Sequence, residues 1–376
     1  MRLTALEVSS GLVFGADPRP CTGSRLSPLA ALEQAVLAAL RRPPCVVSFS
    51  GGCDSSVVLA VAARVAARES LPLPIPVTNR FPKAQGSDEA MWQERVVRHL
   101  GLSDWVRLSF DDELDVLGPV ARASLRRHGL LWPFNAHFHV PILEVARGGA
   151  LLTGVGGDEV LGASGWYQLE RALRRRRRPQ PRDGLRLLGA LAPRSLREAR
   201  ERRRPRPQLP WLRREAMRAV EDAWAREEAS EPVVWRRRIA WRAGLRYLDD
   251  GVASIQMLAT EHDAVVCHPF IDDLFVAAVA SLPARRRFLD RAEAMADLFS
   301  GVLDGAVLRR ATKAHFDQAF WNRHSKEFVR GWAGGGSDSD IVAEEALRAE
   351  WRKEQPDART LLLLQSIWLS SQPQHA

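Results

Sequence analysis

Between Pro43-Pro44 and Ala67 the chain reads as a strand, a tight turn and a buried helix, and this order restricts the fold more than any other feature. Cys45-Val46-Val47-Ser48-Phe49 is short, largely apolar and rich in β-branched residues. Ser50-Gly51-Gly52 breaks it, and a largely apolar stretch runs from Ser55 to Ala67. The order repeats. Pro74-Ile75-Pro76-Val77-Thr78 reads as a second strand and Ser87 to Leu100 as a helix, with Ser87 as its cap and Asp88 and Glu89 in its first turn. Trp105 to Leu108 makes a third strand. Ala150 to Thr153 makes a fourth, which enters another glycine turn. Strands alternating with helices require a parallel sheet covered on both faces, so the predicted class is α/β with a doubly wound, mainly parallel sheet.

Residues 1–28 mix strand-like pieces such as Leu12-Val13-Phe14 with turn residues and read as a lead-in; the main domain is expected over 29–376. From about 171 to 216 dense arginine is interrupted by Pro179, Pro181, Pro193, Pro205, Pro207 and Pro210, a composition that predicts an irregular, mobile excursion. Residues 217–305 and 340–371 are mostly helical by periodicity, giving a largely helical C-terminal half, and Gly331 to Ser339 reads as a flexible loop.

No apolar run approaches the ~18 residues that cross a bilayer and the N-terminus lacks a signal design, so a cytoplasmic protein is expected. The four cysteines are scattered, which predicts free thiols, mostly buried, with neither a disulfide framework nor a zinc site. Only four of the 54 basic residues are lysine: Lys83, Lys313, Lys326 and Lys353. Each is worth a question, because an ammonium and a guanidinium do different chemistry.

The first chemical motif is Ser48-Phe49-Ser50-Gly51-Gly52-Cys53-Asp54-Ser55-Ser56, at a strand-to-helix turn. Backbone N–H groups at a helix N-terminus attract phosphate oxygens; glycines admit them closely and serine hydroxyls add donors. The lysine of a Walker loop is absent. The second motif, Thr153-Gly154-Val155-Gly156-Gly157-Asp158-Glu159, also follows a strand. Ligands of open parallel sheets bind beyond the carboxyl ends of the strands, so Asp54 and Asp158 are expected to face one nucleotide with Mg²⁺ between them. Taken singly, either motif also reads as a plain capped glycine turn. Elsewhere, His137 and His139 alternate as on a strand without a third ligand, and Trp132-Pro133-Phe134 reads as core or as an acceptor-pocket wall.

Together these motifs resemble the synthetase domain of the asparagine synthetases, a group of N-type ATP pyrophosphatases with the adenine nucleotide alpha hydrolase-like (PP-loop) fold. Ser50 to Ser55 is similar to that family's pyrophosphate loop, and Thr153 to Glu159 to its second loop. His268-Pro269-Phe270-Ile271-Asp272 is similar to its Pro-Phe-Leu-Asp segment, and Arg309 to Phe316 to a late lysine-containing element. The resemblance implies an AMP-forming ligase that uses ATP and Mg²⁺. It implies that Ser48, Ser50, Gly51, Gly52, Asp54, Ser55, Gly154 and Gly156 hold ATP and pyrophosphate, that Asp54 and Asp158 hold Mg²⁺, and that Lys313 acts with them in catalysis.

Three departures bear on the product. Arg2 stands where asparagine synthetases have a catalytic cysteine, with no length for a glutaminase domain. Val155 stands where they have a glutamate able to take a proton from the amine. The arginine-rich stretch resembles looser relatives such as lasso-peptide cyclases and β-lactam-forming synthetases. The expected substrates are a small-molecule or peptide carboxylate and an amine, with a partner protein or leader peptide as a further candidate and no membrane. A tRNA-modifying enzyme, disfavoured by the second motif, and a non-catalytic binding protein are the alternatives.

Overall fold

The computed structural model describes residues 3–163, 165–173, 178, 180–310 and 316–372. Five strands form one all-parallel sheet: β1 (Cys45–Ser48), β2 (Ile75–Arg80), β3 (Val106–Ser109), β4 (Ala150–Leu152) and β5 (Val265–Cys267), in the order β3-β2-β1-β4-β5. The chain thus moves outward from β1 in one direction and returns to the other side of β1 with β4, pairing Val46 with both Ile75 and Leu151. That reversal between β1 and β4 is where an open parallel sheet leaves a crevice at its carboxyl edge.

Alternation along the strands decides which helices cover each face. Cys45, Val47, Ala150 and Leu152 enter one core with the helices Pro28–Leu40, Cys53–Glu69 and Asp273–Ala280. Val46, Val77 and Leu151 point the other way, onto Ile142, Leu143 and Leu258. The helix Cys53–Glu69 is apolar nearly all round because it is enclosed nearly all round; Val57 to Ala62 are buried without a break.

A second, all-helical core lies apart from the sheet, where Trp211, Trp351, Leu361 to Leu364 and Trp368 pack together. Val8 joins it from the helix Ala5–Ser10, which Thr4 and Glu7 close with a reciprocal capping box. The segment read as a lead-in is therefore fastened to the C-terminal helices, and Leu12 to Phe14 is not a strand.

Four further local expectations are corrected. Val265–Cys267 is a strand, not helix: three residues between two helical stretches are too few for periodicity to register. Ser87 ends a short 3-10 turn, its hydroxyl donating to the Ala84 carbonyl, and Asp88 instead accepts from Ala90 N–H at the start of the helix Ala90–Leu100. His137 and His139 lie on the 3-10 turn Ala136–His139, not on a strand.

The arginine-rich segment is the fourth. Its described residues up to Glu201 form the helices Pro181–Leu191 and Arg194–Glu201 after Tyr167–Leu173, whereas residues 202–213, with Pro205, Pro207 and Pro210, are irregular as expected. Arginine is a good helix former, Pro181 sits at a first-turn position where no N–H is needed, and Pro193 lies just before its helix. Arg202 pairs with Glu198 at 2.7 Å and Arg206 with Glu228 at 2.7 Å, which lowers the repulsion among the cations. The glycine loop before residue 340 is likewise fastened, as Gly335 N–H and Ser337 Oγ both donate to Glu344 at 2.9 Å. Among the described residues no helix is long and apolar enough to cross a membrane.

Candidate active site

The loops after β1 and β4 meet at the topological switch point and border a cavity of about 920 Å³. In the first loop Gly51 has φ +85°, and Gly52 is the extended residue that opens the helix Cys53–Glu69. Its carbonyls are drawn inward: Gln93 Nε2 donates to Ser50 O at 3.0 Å and Arg310 donates to Gly51 O at 3.0 Å. Arg310 is itself held by Glu89 and lies 4.9 Å from the centre of the Trp92 ring. With these carbonyls tied back, the loop leads into the N-terminus of the helix Cys53–Glu69, whose positive end suits a polyphosphate. Ser50 and Ser55 face each other across the turn with their hydroxyls 3.1 Å apart, and Ser48, Ser50 and Gly52 also line the cavity.

The second loop lies against the first at backbone distance. Gly157 begins the helix Gly157–Leu161, and a Cβ there would come within 2.4 Å of Asp54 Oδ1, closer than atoms tolerate. Gly156 has φ +91°, and a Cβ on it would meet the Ile271 side chain at 2.2 Å. The glycines of the second motif are thus what bring Asp54 and Asp158 onto one side of the cavity. Glu159 turns away from it and accepts from the Tyr247 hydroxyl at 3.0 Å, bracing the loop.

Asp54 and Asp158 converge on one cation, the guanidinium of Arg291. Its Nη2 lies 2.6 Å from Asp54 Oδ2 and its Nε 2.9 Å from Asp158 Oδ1. These carboxylates raise the arginine's pKa against the opposing effect of its burial. Arg291 is the first residue of the helix Arg291–Phe299, which Asp290 caps by accepting from Glu293 N–H. Sequence reasoning missed it, since nothing local sets it apart from the other arginines. A pair of hard carboxylate oxygens that already share one cation also fits Mg²⁺, and Asp54 and Asp158 are the residues that would hold it. Lys313 lies outside the described residues.

The rest of the cavity wall is less polar. Val155, Ala163 and Phe316 line it together with Asn135 and His139. Behind this wall Phe138 stacks on Phe81 and meets Phe320 at a tilt, with ring centres 5.5 and 5.0 Å apart, and Phe134 packs edge-on against Phe320. Beside it, His268 shares a 2.6 Å hydrogen bond between its Nδ1 and the Thr153 hydroxyl; burial lowers its pKa to about 3, so it stays neutral. Cys53 is buried at the edge of the cavity and its thiol is pushed up to about 12, which removes it as a nucleophile at neutral pH. Cys45 is buried as well, whereas Cys21 and Cys267 are partly exposed.

Comparison with protein-family models matches residues 29–370 to asparagine synthase. No curated protein matches the chain. The match spans both glycine loops, the β5 segment, the helix that begins with Arg291 and the segment after Gly305–Leu308 that supplies Arg310, and members of this family use ATP to form amides. The chain belongs to the asparagine synthase family.

Proposed function

We propose that this protein adenylates a carboxylate, releasing pyrophosphate, and passes the acyl group to an amine within a natural-product or modified-peptide pathway, with closure of a peptide macrolactam as the favoured case. The observation that carries the reading is the meeting of two glycine loops at the switch point, with Asp54 and Asp158 directed at one cation beside a helix N-terminus. That arrangement holds the pyrophosphate end of ATP and leaves the α-phosphorus open to a carboxylate oxygen. Mg²⁺ on Asp54 and Asp158 would neutralise the charge of the leaving pyrophosphate. The hydroxyls of Ser50 and Ser55 and the first-turn amides orient the phosphates. The Val155 and Phe316 side of the cavity excludes water from the mixed anhydride.

Val155 argues against free ammonia and aspartate as the natural pair, because an apolar side chain lines the cavity where the asparagine synthetase motif has an acidic one. A polypeptide partner or leader finds support in the arginine-rich segment. Residues 171–216 hold 17 arginines against four acidic residues. On the helix Pro181–Leu191 the apolar face points outward: Leu185, Leu188 and Leu191 are 69, 66 and 73% exposed while Asp183 is buried. A leucine face suits an acidic peptide with apolar anchors better than a phosphate backbone.

The test is ATP–pyrophosphate exchange with aspartate, glutamate and short peptides that carry an internal Asp or Glu. Exchange with a peptide, and its loss in Asp54→Ala or Asp158→Ala proteins that still unfold in one cooperative transition a few degrees below wild type, is the expected result. Absence of exchange with every acid, or wild-type turnover in either variant, would overturn the proposal.

A further inference from the structure

We infer that His139 is the base that takes the proton released when the amine attacks the activated acyl group; this rests on the amide-forming reading above. Attack forms a bond from nitrogen to the carbonyl carbon and breaks the bond from that carbon to the AMP oxygen, which leaves with its electron pair. The nitrogen is then one proton too rich. Some group at the cavity has to accept that proton in or just after the transition state.

The carboxylates at the cavity are already committed. Asp54 and Asp158 share Arg291, Glu89 is bound by Arg310, and Asp290 caps its own helix. Val155 has no acid–base chemistry. His139 lines the same cavity, and its Nδ1 lies 3.2 Å from the Ala136 carbonyl oxygen. A carbonyl only accepts, so the proton of the neutral ring sits on Nδ1 and the lone pair is left on Nε2, which has no partner among the described residues.

Burial lowers the pKa of His139 below the usual histidine value, which keeps the ring neutral and able to accept at pH 7. The titratable neighbours do not supply a competing charge. His137 is pinned to the Leu114 carbonyl and lowered to about 4, and His268 is held by Thr153, with Arg19 adding to the lowering of the latter. After the transfer the imidazolium passes its proton to solvent or to departing AMP.

His139→Gln tests the assignment, because glutamine retains an N–H for Ala136 and approximates the ring's length. The variant is compared with wild type in two reactions of the acid that supports exchange: attack by an alkylamine, and attack by hydroxylamine. Hydroxylamine is uncharged at neutral pH, and its adduct gives up a proton to water far more readily than an alkylamine adduct does. Amide formation is expected to fall about 10²-fold and hydroxamate formation by less than about tenfold. An equal fall in both reactions would assign His139 a purely structural role, and amide formation within about threefold of wild type would remove it from the mechanism. Absence of exchange in the wild-type protein would instead overturn the adenylation reading itself.

Discussion

Replacing Arg291 by methionine tests whether the guanidinium and a divalent cation compete for the same two carboxylates. The substitution keeps most of the stem and removes the charge. The contact with Asp54 is short, 2.6 Å, between side chains that are 22 and 18% exposed. A charge-assisted hydrogen bond contributes roughly 1.5–3 kcal/mol, and partial exposure places this one near the lower figure. The contact with Asp158, whose side chain is 48% exposed, adds about 0.5 kcal/mol. The total is about 2 kcal/mol. For a chain of 376 residues the unfolding entropy at the midpoint is roughly 0.8 kcal/mol/K, so the melting temperature should drop by about 2–3 °C without added metal. In the wild-type protein Mg²⁺ has to displace the guanidinium and forgo the same 2 kcal/mol, a factor of about 30 in affinity. A melting-temperature titration with MgCl₂, without nucleotide, should therefore reach its midpoint at about 30-fold lower concentration in Arg291→Met. Midpoints within about threefold of each other would show that the two cations do not share Asp54 and Asp158.

Gly157→Ala places a Cβ 2.4 Å from Asp54 Oδ1, so the carboxylate has to leave Arg291 or the two loops have to part. A loss of about 1–3 kcal/mol in stability and of about 10²-fold or more in AMP release is expected, read by thermal melting and a coupled AMP assay; full activity would mean the loops are not held this close in solution. Glu227 accepts from Gly15 N–H at 2.6 Å, and burial raises its pKa to about 7. Its folded pKa exceeds the unfolded value, so the unfolded chain ionises first as pH rises. Stability is then lost between about pH 4.5 and pH 7, by on the order of 3 kcal/mol. Glu227→Gln, which still accepts from Gly15, should be more stable than wild type above pH 7 and indistinguishable below pH 4.5 in urea melts; an equal pH dependence in both proteins would refute the assignment.

The sheet was legible because its evidence is local. Four of the five strands follow from short apolar runs, two of which, β1 and β4, enter glycine turns, and the helix after β1 follows from apolar positions on all its sides. β5 was not legible, since Val265-Val266-Cys267 is too short to show a period, and only the pairing of Leu151 with Val266 identifies it. The first part of the arginine-rich segment, up to Glu201, was misread for a different reason. Proline was counted as a breaker without regard to position, whereas Pro181 and Pro193 stand at helix starts, where proline does no harm.

The same division runs through the candidate site. Asp54 and Asp158 announce themselves because each follows a glycine turn at a strand end, a local pattern with a physical reason behind it. Arg291, Arg310 and His139 carry no such pattern. Each reaches the cavity only because the chain crosses the sheet and returns, from 237 residues after Asp54 in the case of Arg291. What local sequence reveals is therefore the part of the site proposed to bind phosphate, because amides and glycines would do that work at a turn. The part that would select the acid and move the amine's proton is assembled from distant helices. In this chain that part has Val155 and His139 lining one cavity, so an account of specificity has to begin from the three-dimensional neighbours of the second loop and not from the loop itself.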